Sequence, residues 1–142
     1  MPRNAAVPAN RKPDYYDLGL CGPFRTDLRE ETQYCGMFLT PSLRNVALRR
    51  VFFHNGIFHS LQQVLDFYVS RDLHPERFYP RGASGNVIKY NDLPAHYRAN
   101  VDVLDPPLNR HPGDAPALTP HEIRDVIAFL CTLTDGYAPG GG

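Results

Sequence analysis

A mainly α-helical domain of short helices joined by long irregular loops is the fold class that this 142-residue sequence predicts. Three observations lead there. Two segments place apolar residues at helical spacing behind a capping residue; none alternates apolar and polar residues as a β-ladder would; 14 prolines and 11 glycines interrupt the remainder. The length suits one domain, and 42% apolar with 21% charged residues is an ordinary globular composition.

Residues 1–35, with Pro2, Pro8, Pro13 and Pro23, read as an extended arm and loop unable to form a core alone. Over Thr40–Leu48, an early Pro41 followed by Leu43, Val46 and Ala47 at i, i+3, i+4 predicts a short helix. His54-Asn55-Gly56 is a turn signal, because Asn-Gly accepts positive φ cheaply. The next helix has Ser60 as N-cap, Gln63 at the capping-box position, and a stripe of Leu61, Val64, Leu65 and Tyr68 that predicts a buried Tyr68. Residues 72–118 hold seven of the fourteen prolines and at most a short helical piece near Asp92–Tyr97; such a long loop usually wraps something. The last helix opens on Thr119, with Pro120 at N1 and Glu122 at N3. It runs through Ile123, Val126, Ile127 and Leu130 and stops before Gly136. Residues 138–142 read as a disordered tail.

Fifteen Lys and Arg balance fifteen Asp and Glu, so no net positive field exists to hold nucleic acid or an anionic membrane. No apolar run approaches the ~20 residues of a membrane-spanning helix. Met1-Pro2-Arg3-Asn4 lacks the apolar segment of a secretory signal. Cys21, Cys35 and Cys131 form no C-x-x-C spacing, which excludes zinc-ribbon, thioredoxin-type and haem-attachment motifs. Cys21 and Cys35 read either as a disulfide formed in an oxidising compartment or as two free thiols; Cys131 reads as a small buried hydrophobe. His59, His74, His96, His111 and His121 have no metal-ligand spacing, and Ser84 has no nucleophile-elbow context. Asp66 and Glu122 are helix-surface carboxylates.

Taken in order, Thr40-Pro41-Ser42-Leu43-Arg44-Asn45-Val46-Ala47-Leu48, Phe53-His54-Asn55-Gly56, the Ser60–Tyr68 helix and Leu118-Thr119-Pro120-His121-Glu122-Ile123 through Thr134 resemble one family. It is that of the bacterial di-haem cytochrome c peroxidases, in their C-terminal haem domain. The likeness covers about residues 36–137, implying a partial cytochrome c-like domain there. Asp17-Leu18-Gly19-Leu20-Cys21-Gly22-Pro23 resembles the MauG branch. The resemblance implies an oxidoreductase using hydrogen peroxide, with electron transfer through c-type haem in the periplasm. It also implies a further N-terminal haem lobe, and a small redox protein or protein substrate as electron donor. The C-x-x-C-H helix of the family is absent from these residues, so the resemblance implies a truncated enzyme. A second reading is a haem-free remnant or docking module without activity.

By resemblance, Tyr68 stands at the distal axial position of the second haem, fourteen residues after His54. A hard phenolate there favours ferric iron, where a thioether would raise the potential. Met37 is the rival donor, though it reads more simply as a gap-filling core residue. His54 corresponds to a histidine near the haem edge, and Arg44 to a partner for a haem propionate, which a planar guanidinium suits. Arg49 and Val51 fall where family members hold calcium through backbone carbonyls. Thr and Pro are usual at those positions, and an arginine beside a hard dication counts against the site.

Overall fold

The computed structural model describes residues 1–136, so the expected tail at 138–142 lies outside the described residues. Two α-helices form the frame, α1 (Leu61–Ser70) and α2 (Pro120–Thr132). Short 3-10 helices occur at Pro8–Arg11, Thr32–Tyr34, Val46–Leu48, Pro75–Arg77 and Ala95–Asn100. Among the described residues, β-pairing is confined to isolated bridges such as Phe52 with Phe58. The mainly α, loop-rich class expected from the sequence is therefore the one observed.

Both helices start as their caps dictate. The Ser60 hydroxyl accepts from the Gln63 N–H at 3.2 Å, and the Gln63 carboxamide reaches past Ser60 to accept from the His59 N–H at 2.7 Å. Thr119 and Glu122 form a complete capping box, each side chain accepting from the other's backbone N–H. The helices pack on each other around Val46, Phe52 and Leu130, with Phe58, Leu61, Val64, Val126 and Leu133 at the margin.

Four local expectations are corrected. The Thr40–Leu48 helix is only the 3-10 turn Val46–Leu48, because the end of α2 captures the residue before it. Asn45 sits at φ 59, its N–H donates to the Leu133 carbonyl at 2.9 Å, and its Oδ1 accepts from the Asp135 N–H at 3.0 Å. That contact satisfies a carbonyl at the C-terminus of α2 at the expense of helical geometry ahead of Val46. Tyr68 is not part of the buried stripe: it is 37% exposed, and Phe67, Val69 and Ser70 are the residues α1 buries. The reason is the 72–118 segment, which folds back on α1 with Leu73 and Tyr79 and gives the helix a second buried face. Cys131 is exposed, because it lies ~100° round α2 from Leu130. Met37 is also exposed, outside the core.

The arm is tied down by polar contacts. The Arg3 guanidinium donates to the carbonyls of Asn10, Lys12 and Tyr15. Cys21 and Cys35, both buried, form a disulfide with Cα atoms 5.1 Å apart. Gly19 lies beneath this link at φ 59, where a Cβ would collide with the Met37 carbonyl, so only glycine fits.

Candidate functional site

The site begins at the turn of residues 53–56. The Gly56 N–H donates to the Phe53 carbonyl at 3.2 Å, and the positive φ of the turn falls on Phe53 and Gly56. Asn55 points inward, donating to the Pro2 carbonyl at 2.7 Å and accepting from the Ile57 N–H at 3.2 Å. This locks the turn to the arm. The turn delivers the Phe53 ring to 5.7 Å from Tyr68 through the Phe52–Phe58 bridge, the Ser60 cap and two turns of α1, while the neighbouring His54 faces Phe38 and Asp92 instead.

Phe53 and Phe67 shelter one side of the Tyr68 ring. Its hydroxyl has no hydrogen-bond partner among the described residues. Burial pushes the phenol above its ordinary pKa, with Arg71 opposing.

His54 lies face to face with Phe38, ring centroids 3.8 Å apart, with its Nε2 3.6 Å from the Asp92 carboxylate. With Asp92 it lines two adjoining clefts of about 220 and 190 Å³, one bounded by Arg3, Tyr16 and Phe24, the other by Phe38, Arg71 and Asp102. Neither cleft is lined by Tyr68. Burial holds the imidazole below its usual pKa, opposed by Asp92 and Asp17 and reinforced by the amino terminus. A depressed folded-state value means the neutral ring stabilises the fold fully above about pH 6.5, and that stability is lost as pH falls through the folded value. The thermal midpoint is therefore expected to drop more steeply from about pH 7 to 5 in the native chain than in His54→Phe, which keeps the stack. Parallel curves would show that His54 does not titrate with folding.

Arg44 is an exposed side chain whose Nε and Nη2 pair with Asp135 at 3.1 and 3.0 Å. Arg49 donates weakly to the Ser42 carbonyl at 3.5 Å, and Val51 is exposed. No group of three His, Cys, Asp or Glu among the described residues could hold a metal. No such side-chain group stands with the Arg49 and Val51 carbonyls.

Sequence reasoning missed a buried charge network. Arg71 and Asp72, 6% and 8% exposed, pair at 2.6 Å, and Arg71 also donates to the Asp102 carbonyl at 2.6 Å. Lys89 and Tyr90 converge on Asp72 Oδ1, the phenol donating at 3.0 Å. Desolvation, the largest influence on Asp72, raises its pKa, yet the contacts from Lys89, Arg71 and Tyr90 together outweigh it and hold the carboxyl below its ordinary value. No local spacing signals this cluster, since its members come from α1's end and from a loop seventeen and eighteen residues later.

The frame of short helices, with a sheltered tyrosine set by the His-Asn-Gly turn, is a stretch of a cytochrome c-like peroxidase domain, and the chain belongs to the di-haem peroxidase family. It is similar to the di-haem peroxidase BthA of Burkholderia thailandensis, at 44% identity and a TM-score of 0.84 over 96% of this chain. It matches a tyrosine-to-methionine variant of BthA at 43% identity and a TM-score of 0.83. The chain spans 32% of the length of both. No family model and no curated protein matches it. Among the described residues no helix is long and apolar enough to cross a membrane.

Proposed function

We propose that these residues are part of the C-terminal lobe of a MauG-like di-haem peroxidase of the periplasm, with Tyr68 as an oxygen donor to a haem iron. The observation that carries this reading is the partly exposed Tyr68 phenol, its ring flanked on one side by Phe53 and Phe67 and its hydroxyl without a partner among the described residues, on a chain 44% identical to a di-haem peroxidase.

The phenol oxygen of Tyr68 is a donor type that haem iron accepts, so Tyr68 would hold the haem. Bound there, it would supply one-electron chemistry at iron, coupled to peroxide reduction in the complete enzyme. Tyr68 Oη would hold the iron as a hard phenolate donor, a type that favours the ferric state. Arg44, held by Asp135, offers its remaining guanidinium donors to a propionate. His54, kept neutral by burial, sets the polarity nearby without adding charge. The thioether bonds of a c-type haem do not fit these cysteines, because Cys21 and Cys35 are joined and Cys131 stands alone. That attachment, the other haem lobe and the electron donor, a small redox protein or protein substrate, belong to other segments or partners. Calcium on the Arg49 and Val51 carbonyls would need further ligands, since no group of three His, Cys, Asp or Glu among the described residues accompanies them.

Titration of ferric haem into the purified chain tests the ligand. A phenolate-to-iron absorption band is expected, lost in Tyr68→Phe and retained in Met37→Leu. Identical spectra for the native chain and Tyr68→Phe would remove Tyr68 from the iron.

A further inference from the structure

The aromatic rings behind Tyr68 form a continuous file. Tyr68 lies 6.3 Å from Phe67, Phe67 lies 6.5 Å from Tyr79, and Tyr79 lies 5.7 Å from Tyr90, centroid to centroid. Phe67 and Tyr79 are buried, and Tyr90 is half-buried at the far end. The two interior tyrosines differ in one chemical respect. The Tyr79 hydroxyl is buried with no hydrogen-bond partner, whereas the Tyr90 hydroxyl donates to Asp72 Oδ1 at 3.0 Å.

That difference decides where an oxidised tyrosine can rest. A phenol that loses an electron must also lose its proton, or it leaves a cation in a low-dielectric interior. Tyr79 has no acceptor for that proton. Tyr90 has a carboxylate already in hydrogen-bond contact, with Arg71 and Lys89 holding that carboxylate ionised and in place. The same two cations lie over the Tyr90 ring, at 5.3 and 5.1 Å from its centroid, and oppose any positive charge left on it. Electron loss from Tyr90 is thereby bound to proton transfer.

We propose that Tyr90, with Asp72 as its proton acceptor, is a redox-active tyrosine reached from Tyr68 through Phe67 and Tyr79. One electron leaves Tyr90 along this file to a one-electron oxidant at the Tyr68 end. The Tyr90 Oη–H bond breaks, the proton joins Asp72 Oδ1, and a neutral phenoxyl radical remains beside a neutral carboxyl. Return of the electron brings the proton back. The inference rests on the haem reading only for the natural oxidant, an oxidised haem beside Tyr68; the Tyr90–Asp72 pair stands without it.

The test supplies its own oxidant. A thiol-reactive ruthenium photosensitiser is attached to the chain carrying Tyr68→Cys and Cys131→Ser, so that flash oxidation generates ruthenium(III) at the start of the file without haem. Optical and EPR detection is expected to show a long-lived tyrosyl radical that forms more slowly in deuterated solvent. Adding Tyr90→Phe should abolish it, and Tyr79→Phe should slow its formation while leaving the species intact. Because Asp72→Asn endangers the fold, the hydrogen bond to the radical is read instead from exchangeable-deuteron couplings in the EPR of the otherwise intact chain. A long-lived radical that survives Tyr90→Phe, or one without an exchangeable coupling, overturns the assignment. A formation rate unchanged by Tyr79→Phe overturns the route. None of these outcomes depends on Tyr68 binding iron, which the haem titration tests separately.

Discussion

Phe67→Ala is expected to destabilise the chain by about 3–5 kcal/mol, a large share of the 5–15 kcal/mol typical of a whole domain. The ring is 2% exposed and lies within 5.2–6.5 Å, centroid to centroid, of Phe53, Phe58, Phe78, Tyr68 and Tyr79. Several of these pairs meet edge-to-face, a geometry that adds to simple area burial. In a loop-rich chain with two helices, few other groups could collapse into the cavity, which places the cost toward the upper end of the range. Urea unfolding followed by circular dichroism gives the number. A loss below about 1 kcal/mol would mean that the rings do not pack as described. Phe67→Leu, which refills part of the space, is expected to recover part of the loss.

The second large effect falls on charge. Asp72→Ala leaves Arg71 buried with one of its two partners gone, and it releases Lys89 and Tyr90 from their shared acceptor. Removing one member of a buried pair costs roughly 3–5 kcal/mol, because the remaining charge is stranded. The fully exposed Arg25–Asp27 pair has similar geometry, so Asp27→Ala serves as a control expected to change little. The pH dependence follows from the depressed Asp72 pKa. The ionised carboxylate contributes fully above the ordinary value near pH 3.9, and its contribution fades as pH falls through the lower folded-state value. The native chain should therefore lose stability in acid more steeply than Asp72→Ala, the two curves converging at low pH. Curves that stay parallel would show that Asp72 is not paired in the fold.

Both helices were legible in the sequence because their signals are local. Ser60 with Gln63, and Thr119 with Pro120 and Glu122, specify starts that no tertiary contact overrides. The Thr40–Leu48 helix failed for the opposite reason. Asn45 is recruited by Leu133 and Asp135, some ninety residues away, and a capping contact of that span leaves no trace in a local pattern. Tyr68 lies on the expected helix but not on its buried stripe. Periodicity reports one buried face, whereas α1 buries a second against Leu73 and Tyr79. The Asp72 cluster was illegible because its four side chains meet only when the 72–118 segment turns back on α1. Arg44 shows the same limit: nothing near it in sequence announces Asp135 as its partner.

The Cys21–Cys35 link closes a ring whose intervening residues, from Pro23 to Tyr34, lie mostly at the surface. Asn100 clasps its neck, donating to the Thr32 and Cys35 carbonyls at 2.8 and 2.9 Å. With both ends anchored, length between Phe24, which bounds the His54 cleft, and Thr32, which Asn100 holds, is only loosely coupled to the rest of the fold, since closure entropy grows only slowly with added residues. The ring is accordingly a natural splice point, where an epitope or fluorophore-bearing peptide could be inserted while the tyrosine file and the helices stay undisturbed. Such insertions would require an oxidising host, because an open ring of this size forfeits about 3 kcal/mol of stabilisation.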